Sequence, residues 1–201
     1  MGRQTRVGLT GVLLGAGLLL PALGLQFQDV DAPPISYSDT PAVDQVARLG
    51  EKLKRGELKL TRHPERGYLD SFLQALGISP SSQLLVFSKT SFQRERISPV
   101  TPRALYFNDD VYVGWVQGGP VLEISAADPH LGGVFYVLDQ ESNAPRPLRQ
   151  RHECLSCHES GLTGGVPGHT LRSVLSLRDG LPAFSSGAYV MTPESSFDQR
   201  W

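Results

Sequence analysis

The residues of this chain with the clearest chemical potential are its two cysteines and the histidine that follows them. Cys154 and Cys157 are the only cysteines in the 201 residues, they lie three positions apart, and His158 comes directly after the second. In this spacing each thiol can add to one vinyl group of a porphyrin, forming two thioether bonds along one edge of the ring. The adjacent imidazole then lies under the iron and can bind it as the proximal ligand. The segment therefore predicts one covalently attached haem.

Two other kinds of chemistry use paired cysteines, and the sequence leaves both open. A redox-active dithiol of the thioredoxin type follows a buried apolar strand, whereas residues 146–153 are charged and interrupted by a proline. We therefore expect no buried apolar strand before Cys154. A structural zinc site needs two further ligands, for which His152 and His169 are available. The chain lacks a second Cys-x-x-Cys pair, so haem attachment is favoured over both alternatives.

The motif resembles the haem-attachment site of c-type cytochromes, and a broader resemblance covers residues 84–201. Four blocks look like an uncharacterised group of exported bacterial proteins that carry a cytochrome c domain: residues 87–93, 103–109, 112–119 and 135–140. The resemblance implies haem binding and electron transfer without a defined substrate. Members of the group continue beyond the position matching Trp201, which implies a haem-binding domain that is incomplete at its C-terminal end.

The N-terminus predicts export. Arg3 and Arg6 precede an uncharged, mostly apolar run from Val7 to Leu25, which is the order of an export signal. The run also approaches the length of a membrane-spanning helix, about 20 residues, although Pro21 weakens it as a permanent helix. The basic end is expected to stay in the cytoplasm while the rest is translocated. The segment thus contacts the membrane at least during export.

These features predict three regions of the chain and a cellular location. Residues 1–25 are expected to form a signal peptide or an N-terminal membrane anchor, residues 26–40 a linker, and residues 41–201 a cytochrome c-like haem-binding domain. The predicted location is the periplasm or the outer face of the cytoplasmic membrane. Attachment of c-type haem in bacteria takes place on that side, so the location agrees with the motif.

Composition excludes several classes of function. The formal net charge is −1, from 19 basic and 20 acidic residues, so no nucleic-acid-binding field is expected. Both cysteines belong to the motif, which leaves none for a disulfide framework. There is no Ser-His-Asp pattern, Walker-type glycine loop or Glu-x-x-His set for hydrolysis or nucleotide chemistry. We therefore expect an electron-transfer protein rather than a catalyst, with a redox partner protein that the sequence does not identify.

The elements that position the motif are predicted from periodicity and turn residues. An apolar stripe predicts a helix from about Pro41 to Gly56, and a second helix is expected from Arg66 to Leu76, stopped by Gly77. Short strands with glycine turns then indicate an antiparallel sheet. The predicted strands are residues 84–87, 104–107, 111–117, 121–124 and 134–138.

The segment after His158 is rich in glycine and is expected to be a loop that carries the haem. A further helix is predicted over residues 170–175, and Asp179-Gly180 is expected to turn a hairpin. The predicted fold class is α+β: N-terminal helices followed by an antiparallel sheet, with a Gly-rich loop carrying covalent haem c.

The sixth iron ligand would decide what the haem does. A methionine or histidine favours electron transfer, whereas an open position allows small ligands to bind, as in a haem enzyme or a sensor. Met191 lies 33 positions after His158 and is the first candidate, His169 is the second, and His130 is the third. Each is also explained by an ordinary apolar or surface role.

The haem propionates need partners, and the imidazole needs an acceptor for its second ring nitrogen. Arginines flanking the motif are candidates for the propionates, with a solvated surface role as the alternative. Glu159 or a backbone carbonyl would orient the imidazole. The arginines concerned are Arg146, Arg149, Arg151 and Arg172.

Overall fold

The computed structural model describes residues 29–191 and 195–196. Within this range the regular structure is mainly β, with eight strands and three short α-helices. The helices are α1 (Gln45–Lys54), α2 (Leu69–Ala75) and α3 (His152–His158). The strands are β1 (Leu84–Val86), β2 (Arg103–Phe107), β3 (Val111–Trp115), β4 (Val121–Asp128), β5 (Gly132–Asp139), β6 (Pro147–Gln150), β7 (Leu171–Val174) and β8 (Ala188–Met191).

The first six strands form one antiparallel sheet in which each strand pairs with the next along the chain. β4 and β5 make the longest pairing, from Val121 opposite Asp139 to Asp128 opposite Gly132. The remaining two strands, β7 and β8, form a separate two-stranded sheet. Short connections join β2 to β5, at residues 108–110, 116–120 and 129–131, and an antiparallel pair needs only such a tight turn. Residues 87–102 form a longer connection from β1 to β2.

One face of the six-stranded sheet, here called the first face, packs against α1 and α2. Its alternate residues are buried with helix residues such as Val46, Phe72 and Leu73 in one apolar core. Alternation along each strand places those side chains on a common side. The sheet residues concerned are Ala104, Tyr106, Val111, Val113, Leu122, Ile124, Ala126, Val134, Tyr136 and Leu138.

The opposite side of the sheet, here called the second face, carries the motif. Strand register aligns Phe107, Tyr112, Ser125 and Phe135 across β2 to β5 on this side. α3 follows the edge strand β6 directly in the chain, so the helix lies beside this face of the sheet. The second face is less completely covered than the first, since Phe107 and Tyr112 are exposed.

The predicted fold class is wrong. The described chain is mostly antiparallel sheet, with a six-stranded and a two-stranded sheet and three short helices, instead of a helical N-terminal part followed by a sheet. The two expected N-terminal helices exist but span only 10 and 7 residues. Local capping limits the length of both helices. Asp44 caps α1 three residues after Pro41, and Gly77 adopts a left-handed conformation (φ 65°) just beyond α2.

Residues 147–150 form the edge strand β6, which has no buried residue, so no buried apolar strand precedes Cys154, as the sequence predicted. Two further expectations around the motif were wrong. The motif itself is helical, as α3, rather than part of a loop. Residues 171–174 form β7 rather than a helix, since they pair with residues 188–191. The expected turn at Asp179-Gly180 is present, with Ser176 bridged to Pro182.

The segment that precedes α1 packs on the body of the protein. Tyr37 is fully buried, and its hydroxyl donates to the Gly133 carbonyl at 3.0 Å. Arg149 lies over the Tyr37 ring and donates to the backbone carbonyls of Tyr37 and Thr40. The predicted leader, residues 1–25, lies outside the described residues. Among the residues that are described, no helix is long and apolar enough to cross a membrane.

Candidate haem-attachment site

Helix α3 brings the three motif residues together. Cys154, Cys157 and His158 stand at positions i, i+3 and i+4 of this helix, a spacing that places them on one helical face. Leu155 anchors the helix in the core, and Cys154 packs partly against the same cluster. Cys157 is exposed. One thiol is thus held against the protein while the other opens to solvent.

The imidazole of His158 is oriented by the backbone. Its Nδ1 lies 3.0 Å from the Gly168 carbonyl oxygen, and the Gly168 amide donates to the His158 carbonyl at 2.9 Å. Because a carbonyl oxygen only accepts, Nδ1 carries the proton and the lone pair lies on Nε2. Burial lowers the pKa of His158, which favours the neutral ring that a metal requires.

The segment Val166–Gly168, here called the strap, is fixed to strand β5. The Gly133 amide donates to the Pro167 carbonyl at 2.8 Å. Close approach depends on missing side chains, because a Cβ on Gly132 would lie 2.4 Å from the Pro167 oxygen. A Cβ on Gly133 would lie 3.1 Å from Gly168. Two glycines at the start of β5 therefore determine where the acceptor for His158 lies.

Aromatic side chains of the second face surround the imidazoles. The Phe135 ring centroid lies 4.5 Å from that of His158 and 6.1 Å from that of His169. Tyr112 lies 5.5 Å from His169 and stacks on Phe107 at 5.7 Å. The result is an apolar aromatic row next to the motif. Such a surface suits the plane of a porphyrin.

The two thiols are free, and the described chain contains no disulfide between them. Burial, followed by the charge of Glu123, raises the pKa of Cys154 to about 11. This thiol stays protonated at neutral pH, which is unlike the depressed pKa of catalytic dithiols. Within residues 29–191 and 195–196, no three His, Cys, Asp or Glu side chains converge as ligands for a metal ion. The dithiol and zinc hypotheses therefore gain no support from the geometry.

The structure separates the candidates for the sixth ligand. His169 follows Gly168, whose carbonyl faces Nδ1 of His158, so its backbone lies on the side of the ring away from the Nε2 lone pair. Met191 is half-buried and stands opposite Leu171 in the β7–β8 pair. His130 is exposed in the turn after Asp128. The pKa of His169 is also lowered, because protein atoms around its imidazole exclude water although the residue as a whole is exposed.

Of the arginines described near the site, Arg149 and Arg172 were expected and Arg103 was not. Arg149 is committed to the Tyr37 ring and to two carbonyls. Arg172 and Arg103 both act electrostatically on His158. Arg103 was missed by sequence reasoning, because it lies 51 positions before Cys154 and only the sheet brings it near. Its Nε is buried and has no partner among the described residues, which makes it a suitable donor for a propionate.

The residues present fit a covalent haem. Two thiols and an imidazole share a helix face, the imidazole is held in the tautomer with Nε2 available, and an aromatic row lies beside it. Gly168 was also missed as a site residue by sequence reasoning. The glycine-rich segment 161–168 was the available signal, since glycines often mark a close backbone approach.

Comparison with known proteins adds no family. No family model, no curated protein and no solved structure matches this chain.

Proposed function

We propose that this protein is an exported c-type cytochrome with a single haem that carries one electron at a time. Cys154 and Cys157 attach the porphyrin, and His158 binds the iron through Nε2. The observation that carries the proposal is the bond between His158 Nδ1 and the Gly168 carbonyl, on the helix that presents both thiols. An imidazole oriented by a backbone acceptor is the usual support for a metal-binding histidine.

When bound, the haem supplies a one-electron couple between ferric and ferrous iron. The chain contributes the rest of the function. The strap keeps the His158 proton on Nδ1, and Phe135 excludes water from one side of the imidazole. Covalent attachment prevents loss of the cofactor outside the cytoplasm. The electron donor and acceptor are redox partner proteins that this chain does not identify.

Met191 is the preferred sixth ligand in this proposal, and an open distal position is the alternative. His169 is disfavoured as the sixth ligand because it lies next to the strap. The chain would have to pass around the porphyrin edge to bring its imidazole to the other face. An open position would make the protein a haem enzyme or a sensor of small ligands. The proposed location is the periplasm or the outer face of the cytoplasmic membrane.

The test is production of the full chain in a bacterial host that matures c-type cytochromes. We expect mass spectrometry to show one haem on the peptide containing residues 154–158, and the Cys154→Ala/Cys157→Ala variant to lack it. A colourless wild-type protein with both thiols unmodified would overturn the proposal. Zinc in that colourless protein would identify the structural zinc alternative.

The visible spectrum then assigns the distal position. Low-spin bands that ignore carbon monoxide in the reduced protein are expected for the electron carrier. Met191→Leu should convert them to high-spin bands, while His169→Ala should leave them unchanged. High-spin bands in the wild type that shift with carbon monoxide would favour the enzyme or sensor.

A further inference from the structure

The second face of the sheet contains an ion pair that is unusually well buried. Arg103 Nη1 lies 3.0 Å from Glu123 Oε2, and each side chain is only 16% exposed. In every other ion pair of the described residues, both side chains are at least 40% exposed. Burying two charges costs free energy that their attraction repays only in part. This pair therefore calls for an explanation other than stability.

The two members of the pair are satisfied to different degrees. Glu123 Oε1 accepts from the Ser91 hydroxyl at 2.6 Å, from the Gln93 amide at 3.0 Å and from Gln93 Nε2 at 3.2 Å. The guanidinium of Arg103 keeps its buried Nε without a partner among the described residues. The Glu123 side chain therefore keeps three hydrogen bonds if Arg103 is replaced.

The pair lies close to the motif. Glu123 is two residues from Ser125, which stands opposite Phe135, the ring that contacts His158. The positive charge of Arg103 acts on His158, and the negative charge of Glu123 acts on Cys154.

We propose that the Arg103–Glu123 pair sets the reduction potential of the haem, with Arg103 raising it and Glu123 lowering it. This inference rests on the proposed function. Reduction adds one electron, delivered by the redox partner, and converts ferric to ferrous iron. A nearby positive charge favours the reduced form, and a negative charge favours the oxidised form. Because the pair is buried, removal of one member leaves the other charge uncompensated beside the haem.

The experiment compares four variants of the full chain after haem maturation, by redox titration of the visible spectrum. Arg103→Gln should lower the potential, and Glu123→Gln should raise it. The double variant Arg103→Gln/Glu123→Gln should return close to the wild type. Arg55→Gln, which removes a charge from the exposed Arg55–Glu57 pair, is the control and should leave the potential unchanged.

The two single variants separate electrostatics from loosening of the fold. Loosening admits water in both variants and moves the two potentials in the same direction, which would overturn the inference, as would unchanged potentials. If Arg103→Gln does not fold, Glu123→Gln still tests the inference: a raised potential supports it, and a lowered or unchanged potential overturns it. A wild-type protein without covalent haem overturns the proposed function and this inference together, whereas a haem protein with shifts of equal sign overturns the inference alone.

Discussion

At the scale of single residues, His158 is held by a backbone carbonyl and not by a side chain. The Gly168 oxygen accepts from Nδ1 and leaves the free lone pair of the ring on Nε2. A carbonyl does not titrate, so this orientation is maintained across the physiological pH range. The neighbouring thiols differ in their exposure to solvent: Cys154 is half-buried and Cys157 is exposed.

The two cysteines should react at different rates in the haem-free chain. At pH 7 an alkylating reagent should modify Cys157 first, because burial raises the pKa of Cys154 to about 11 and keeps its thiol protonated. As the pH is raised toward that pKa, the alkylation rate at Cys154 should increase about tenfold for each pH unit, in step with the thiolate fraction. Peptide mass spectrometry measures both rates. Cys157→Ser should leave only the slow reaction, and equal rates at pH 7 would contradict the prediction.

At the scale of elements, the orientation of His158 depends on strand β5. Gly132 and Gly133 allow the strap to approach, and the Gly133 amide binds the Pro167 carbonyl at 2.8 Å. The acceptor for the imidazole is therefore positioned by a strand of the sheet and not by the helix that carries the motif. Substitutions at the start of β5 should therefore disturb the position of the His158 imidazole.

Gly132→Ala should test this connection. Gly132 has φ 73°, and its added Cβ would lie 2.4 Å from the Pro167 oxygen, whereas Gly118 has φ 65° and open space around it. Both alanines cost about 1–2 kcal/mol of backbone strain. Gly132→Ala should cost roughly 1–3 kcal/mol more, because the strap must move. Urea unfolding measures the difference.

The matured proteins give a second readout of the same pair. Displacement of the strap weakens the bond to His158 Nδ1, so Gly132→Ala should shift the reduction potential of the haem while Gly118→Ala should not. Equal unfolding free energies and equal potentials in the two variants would show that the close approach has no role.

At the scale of the whole molecule, the sheet has two faces with different partners. The first face is covered by α1 and α2, whereas apolar residues of the second face and of β7 stay accessible. Phe107 is 39% exposed, Tyr112 38%, Leu148 50% and Leu171 53%. Of these residues, Phe107 and Tyr112 stack on each other and form an exposed aromatic pair beside His169.

Haem attachment should cover part of this surface. The haem-free chain is expected to bind an apolar fluorescent dye, and the matured protein should bind less of it, because the porphyrin takes the same apolar contacts. Fluorescence titration of the two forms, with haem absorbance corrected, makes the comparison. The Cys154→Ala/Cys157→Ala variant should behave like the haem-free chain, and equal dye binding by all three would place the haem elsewhere.

Local sequence signals determined the positions of most elements. Alternation and glycine turns located β2 to β5 to within a few residues, because strand side chains repeat every two residues. The apolar stripe over residues 46–53 located α1. The motif itself, Cys154 to His158, is a matter of spacing and is readable without any fold.

Tertiary structure decided the rest. The edge strand β6 and the hairpin strand β7 carry weak local signals and form because a neighbour offers unpaired backbone groups. Gly168, Phe135, Arg103 and Glu123 reach the motif only through strand register and the approach of the strap to β5. Contacts of this kind join residues far apart in the chain, and no local pattern of residue types encodes them.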